Sequence, residues 1–461
     1  MRKKHRLLGK VIAYTLFASV AFPALLFAQQ KTPKAPKEKN SKKFTNAALR
    51  NITGLGSVKQ KSGAILDIFP NMVQIPGGTY EVGKNDINYR GQTRQVTVSS
   101  FWMNETEVTN GQYHLFIDWV RDSLAAKDLG YIIINPSGDT IIDWVKAKKI
   151  NYGDPATMAK LTSIIVEPGK RINNKIEIDP NKLVYGINGF NYEKAARKEN
   201  ANLSPRDFVY HYVQKIYPDT LVWMRDFQYS YNQPMSQLYF SHPTYKNYPV
   251  VGVSWKQANA YCDWLSHQLN ALRVAQGDAP DAQFRLPTES EWEYAAWAGG
   301  DTTLYGLPDD MKPKKEKERK HKRKKGDTVA VQQAPSDVPS FTFSKKTLFC
   351  QLVGSAGYNA FGVYDMDGNV AEWTSSSYYE GGQSFANKVN PDVHWLSLDT
   401  DAEYKKRKVV KGLSWKDTNF KFTPSGRTYE IQDESNSFTG FRTVISLSSD
   451  YIPGQKIRLK K

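Results

Sequence analysis

Residues 361–380, FGVYDMDGNVAEWTSSSYYE, crowd more constrained residue types into a short span than any other part of the chain. Asp367-Gly368-Asn369 reads as a tight reversal, because Gly and Asn accept the positive φ that such a turn needs. Around it lie Phe361, Val363, Tyr364, Val370 and Trp373, whose rings and branched carbons suit a buried, pleated surface. Two carboxylates, Asp365 and Glu372, bracket the turn. A polar turn set between large apolar side chains nucleates a core or builds an oxygen-rich pocket, and the pattern is compatible with both.

The 461 residues allow two or three domains, or one large core with insertions. The formal charge of +17 raises the question of nucleic acid, so its distribution matters. Residues 1–30, 31–43 and 312–325 carry +5, +5 and +8, more than the whole excess. The remainder is close to neutral, so no folded face is basic enough to track a phosphate backbone. The first segment has the layout of an export signal, residues 1–28. Arg2, Lys3, Lys4, Arg6 and Lys10 precede the apolar run Val11–Phe27, and Ala28 offers a small residue for cleavage. Residues 29–64 form a basic linker too poor in apolar residues to fold, and 448–461 a basic tail.

Order is expected from residue 65 to 447. Met72–Val82 reads as two short strands around Pro76-Gly77-Gly78, and Gln95–Met103 as one half-buried strand. Thr109–Gln112, Ser254–Gln257 and Thr288–Glu291 each fit the capping box that starts a helix. Tyr131–Asp143 reads as a hairpin within an insertion spanning 121–247. Tyr229, Tyr231, Tyr239 and Phe240 read equally well as core cover or as a contact surface. Residues 308–340, centred on the charge run Lys312–Lys325, read as a solvated disordered loop. Val409–Trp415 is a strand and turn, and Gly440–Val444 closes the core. The chain has two cysteines, Cys262 and Cys350, too few for a disulfide-stapled scaffold. They could pair in an oxidising compartment, while Cys262 on an apolar helical face also suits a buried free thiol.

Three segments together carry a resemblance. FGVYDMDGNVAEWTS, FRLPTESEWEYAA (284–296) and VVGVSWKQANAYCDWL (250–265) are similar to the formylglycine-generating-enzyme/sulfatase-modifying-factor domain. Residues 216–255 further resemble the PorK/GldK branch, with its paralogue GldJ, of the type IX secretion and gliding-motility machinery. The resemblance implies a loop-rich α+β domain, C-type-lectin-like, with insertions. The family's enzymes hold copper on two thiolates downstream of the strand equivalent to Val409–Trp415; here Lys416–Gly426 reads KDTNFKFTPSG and has no Cys. An iron-dependent branch uses histidines, yet no two of the seven His residues lie within ten positions of each other. The chain is therefore expected to be a pseudoenzyme. The resemblance also implies a structural calcium site. Carried over, it uses the side chains of Asp365 and Glu372 and the carbonyls of Gly368 and Val370. By the same resemblance the chain is a periplasmic, outer-membrane-associated scaffold subunit, forming a homo-oligomeric ring with a PorN/GldN-like partner. It departs from that branch in one respect: no Cys for lipid attachment follows the signal, so membrane contact would run through partners. A lectin-like binder of glycan or lipopolysaccharide and, more remotely, a copper oxidase built on Cys262 and Cys350 stay open as alternatives.

Overall fold

The computed structural model describes residues 71–82, 93–134, 138, 140–227, 233–276, 279–297, 349–355, 357–382, 386–395, 397–417 and 424–446. The export signal, the 29–64 linker, the 308–340 loop, the tail, Tyr229 and Tyr231 lie outside the described residues.

One four-stranded sheet divides the interior in two. Its order is β1 (Met72–Ile75), β4 (Phe101–Asn104), β14 (Val444–Ser446) and β9 (Phe284–Arg285). Successive side chains on a strand point to opposite faces, and here each face meets a different apolar cluster. Trp102 and Ile445 join the larger cluster, while Phe101, Met103 and Val444 join the smaller. Gln95–Met103 is therefore two strands. β3 (Arg94–Val98) alternates between buried and part-exposed residues, whereas all four residues of β4 are buried. The two strands around Pro76-Gly77-Gly78 form as expected but do not pair together. β2 (Gly78–Val82) runs antiparallel to β3, and β1 to β4.

Among the described residues the three longest helices are α1 (Asn110–Asp128), α2 (Trp255–Gln276) and α3 (Glu289–Ala296). Their capping boxes all close: Gln112, Gln257 and Glu291 return a bond to the backbone N–H of Thr109, Ser254 and Thr288. Each box satisfies amides that a helix start would otherwise leave unpaired. α1 and α2 supply the larger cluster, where the Tyr113 and Tyr261 rings stack at 5.6 Å and Phe441 meets Tyr261 edge-on at 5.5 Å. α3 supplies Trp292 and Tyr294 to the smaller one.

A second sheet, in the order β12 (Thr428–Ile431), β11 (Arg407–Lys411), β10 (Ala371–Ser377), β13 (Thr439–Gly440), carries the 361–380 stretch. The insertion after α1 holds the expected hairpin, β5 (Ile132–Ile134) with β6 (Thr140–Ile142). It also holds an unforeseen ribbon, β7 (Val184–Phe190) with β8 (Val209–Lys215), whose Tyr185 and Ile187 reach the larger cluster. Tyr239 and Phe240 are buried, which settles those two rings as core. The fold is thus α+β, loop-rich and interrupted by insertions.

Gly252 joins the insertion to α2. Its φ is +73°, its N–H bonds Asn436 O (2.9 Å), and Asp219 N–H bonds its carbonyl (2.7 Å). A Cβ there would collide with Asp219 O. Gly252→Ala should therefore destabilise the chain by more than about 1 kcal/mol, read as a lower denaturation midpoint at unchanged slope.

Candidate functional site

The turn forms as the sequence dictates, with positive φ at Gly368 (+99°), Asn369 (+55°) and also Asp365 (+56°). Asn369 pins it from three sides. Its carbonyl accepts from Trp415 N (2.9 Å), its Oδ1 from Gln351 N (2.7 Å), and its Nδ2 donates to Glu107 Oε1 (3.0 Å).

Behind the turn lies an arginine that sequence inspection passed over. Arg442 and Glu372 are both buried. Arg442 donates from Nε to Glu372 Oε2 (2.7 Å) and from Nη2 to Oε1 (2.6 Å), a two-pronged pair. Its remaining N–H groups reach the carbonyls of Tyr364 (2.9 Å), Asn104 (3.3 Å) and Glu105 (3.3 Å). All five guanidinium hydrogens have acceptors. Trp292 Nε1 adds a bond to Glu372 Oε2 (2.8 Å), so β4, the turn, β10, α3 and the β13–β14 segment meet on one ion pair.

This geometry bears on calcium. Glu372 already accepts three bonds and carries its own counter-charge, and Asp365 Oδ2 accepts from Gly354 N. A second cation would face the guanidinium and compete for the same lone pairs. Calcium needs six to eight oxygens, and of the expected set Glu372 has both of its carboxylate oxygens engaged by Arg442 and Trp292. Among the described residues no group of three or more His, Cys, Asp or Glu is arranged to hold a metal ion.

Glu107 is the unbalanced member of the cluster. It is buried, and its Oε2 has no hydrogen-bond partner. Burial first, then the nearby Asp365 carboxylate, push its pKa well above the ordinary carboxylate value against the pull of Arg442. The fold therefore holds a proton that the unfolded chain gives up.

The two thiols are far from any shared chemistry. Cys262 sits in the larger cluster; Cys350 sits in a third with Val222, Trp223, Tyr239, Val251 and Val370, its Sγ 3.0 Å from Tyr239 Oη. Both are unpaired, so the pairing left open by the sequence does not occur. Burial pushes Cys350 up to about 12 and Cys262 higher still. Neither is a ready thiolate.

Near Ser425 and Arg427 this chain places buried ion pairs and hydrogen bonds. Lys411 Nζ meets Glu293 Oε2 (3.2 Å), Ser425 Oγ donates to Glu293 Oε1 (3.0 Å), and Arg427 Nε meets Glu289 Oε1 (2.8 Å). Residues 418–423 lie outside the described residues. Phe227 stacks on Trp415 at 5.2 Å with planes 4° apart, and Trp223 stacks on Phe227 at 5.9 Å.

The sulfatase-modifying factor enzyme 1-like domain family matches residues 64–447. The chain belongs to this family. The inactive Cα-formylglycine-generating enzyme 2 of Bos taurus is 28% identical over 394 residues, 81% of this chain and 87% of that protein. Its Mus musculus namesake is 29% identical over 204 residues, 43% of this chain and about half (49%) of the mouse protein. The formylglycine-generating enzyme of Mus musculus is 24% identical over 390 residues, 83% of this chain and 76% of that protein. Similarity thus extends both to relatives named inactive and to relatives named for the activity.

Two variants test this site. Arg442→Met leaves Glu372 buried without its counter-charge and should cost roughly 3–5 kcal/mol in denaturant unfolding. For Glu107, the unfolded side chain titrates near about 4.3, and the native state keeps its proton above that. Between the two pKa values the native state binds more protons, so stability falls as pH rises through that window. Glu107→Gln removes this loss. The variant should gain on the unaltered protein as the pH is raised, with the difference vanishing near pH 4, as read by thermal midpoints across pH.

Proposed function

We propose that this protein is a non-catalytic structural subunit of the type IX secretion and gliding-motility machinery, assembling in the periplasm as a ring or scaffold with a PorN/GldN-like partner. The observation that carries the non-catalytic half is the pair of thiols: Cys262 and Cys350 are buried in separate clusters, and Lys416–Gly426 offers none. Cu(I) selects paired thiolates, and two thiols held in separate clusters speak against a copper oxidase built on them. The names of the inactive relatives agree with this reading.

The assembly half rests on residues 216–255, the stretch that resembles the PorK/GldK branch. Its Val222, Trp223, Phe227, Tyr239, Tyr245 and Tyr248 build the third cluster, against Trp415. A segment spent on packing beside the former thiolate region suits a protein kept for its shape. The layout of residues 1–28 supports export, and contact with the outer membrane would come through partners.

Gentle native extraction of the tagged protein, sized by gel filtration, tests the reading. It should elute as a megadalton species with a second periplasmic subunit, and the purified chain should take up no stoichiometric Cu(I). Elution as a lone monomer removes the scaffold assignment; tight copper uptake removes the pseudoenzyme one.

A further inference from the structure

A groove of about 750 Å³ runs between the β7–β8 ribbon, the outer stripe of α2, and residues 394, 395 and 397–399. That volume falls within the range of about 300–1,000 Å³ typical of small-molecule sites. The α2 stripe consists of Trp255, Asn259, Asp263 and His267 at four-residue spacing, all part-exposed, while the opposite side of the helix is buried.

The walls are built. Tyr185 Oη donates to Asp263 Oδ2 (2.9 Å) and lies 3.0 Å from His267 Nδ1, which joins the insertion to the helix. The indole N–H groups of Trp255 and Trp395 are spent on the carbonyls of Thr374 (2.8 Å) and Lys405 (2.7 Å), which fixes both rings. Across the groove Tyr210 stacks on Tyr212 at 5.9 Å.

Charge selects the ligand. Asp263 pairs with His267 (3.1 Å), Lys256 with Asp399 (2.5 Å), Arg273 with Asp281 (2.7 Å) and Arg285 with Glu291 (2.7 Å). Lys408 is enclosed beneath the Trp255 ring, 4.4 Å from its centre. The groove therefore holds its carboxylates in pairs within the protein, Asp399 and Asp433 sharing Lys256. It offers fixed aromatic rings and short polar groups, among them Asn259 Oδ1, since that amide spends only its N–H on Trp255 O (2.8 Å). Ring faces suit C–H-rich surfaces, and amides suit hydroxyls that both donate and accept.

We infer that this groove binds a neutral saccharide, stacked on Trp395 and hydrogen-bonded to the α2 stripe. The inference stands apart from the secretion-machinery reading, because binding and assembly are measured separately. The test titrates the full chain with maltose, chitobiose and glucuronate, followed by ligand-observed NMR. A neutral disaccharide should bind saturably, at least tenfold more weakly to Trp395→Ala and to Asn259→Ala, and unchanged to Tyr358→Ala, an exposed ring outside the groove. Circular dichroism checks that each variant is folded; if Trp395→Ala is not, Asn259→Ala decides. Absence of saturable binding by both neutral sugars, binding of glucuronate alone, or full affinity in folded Asn259→Ala overturns the inference.

Discussion

A single buried ion pair holds the parts of this domain in register. Arg442 takes both oxygens of Glu372 and three backbone carbonyls from two other segments, and Trp292 completes the carboxylate's shell. Burying two charges is costly and is repaid only when every donor and acceptor is matched. Here they are, so the pair acts as a gauge of correct assembly. If β4, the 365–369 turn or α3 is out of place, a charge-bearing group is left unpaired in an apolar interior.

The same arrangement shows what the family's framework rests on in this chain. The capping boxes, the sheet that divides the two clusters, and the turn are all intact, yet none depends on a thiol. Lys411–Glu293 ties α3 to β11, and Arg427–Glu289 ties it to the residue before β12. Such paired, buried groups have little left to offer a substrate. Relatives with either kind of name share the framework, so framework alone is silent on activity.

Much of this was legible in the sequence because its causes are local. A capping box needs four residues, and the DGN reversal needs three; both can be read and both form. The 95–103 segment misleads for a physical reason: its apolar–polar rhythm describes β3, but β4 sits between two cores and buries both faces. The β7–β8 ribbon was hidden by Gly186 and Gly189, which weaken a strand pattern, although VYHYVQK keeps the alternation. Arg442 could not be matched to Glu372, 70 positions earlier, because nothing local links them. The four-residue spacing of Trp255, Asn259, Asp263 and His267 was visible as a polar stripe, but only the ribbon opposite turns it into a wall.

The negative charge of Glu372 behind the 365–369 turn is balanced from within, by Arg442. Thermal unfolding of the full chain in EDTA and again in millimolar calcium tests it most directly. The account predicts the same midpoint in both. A clear rise with calcium, lost on Glu372→Gln, would mean that a metal ion supplies the charge assigned here to Arg442.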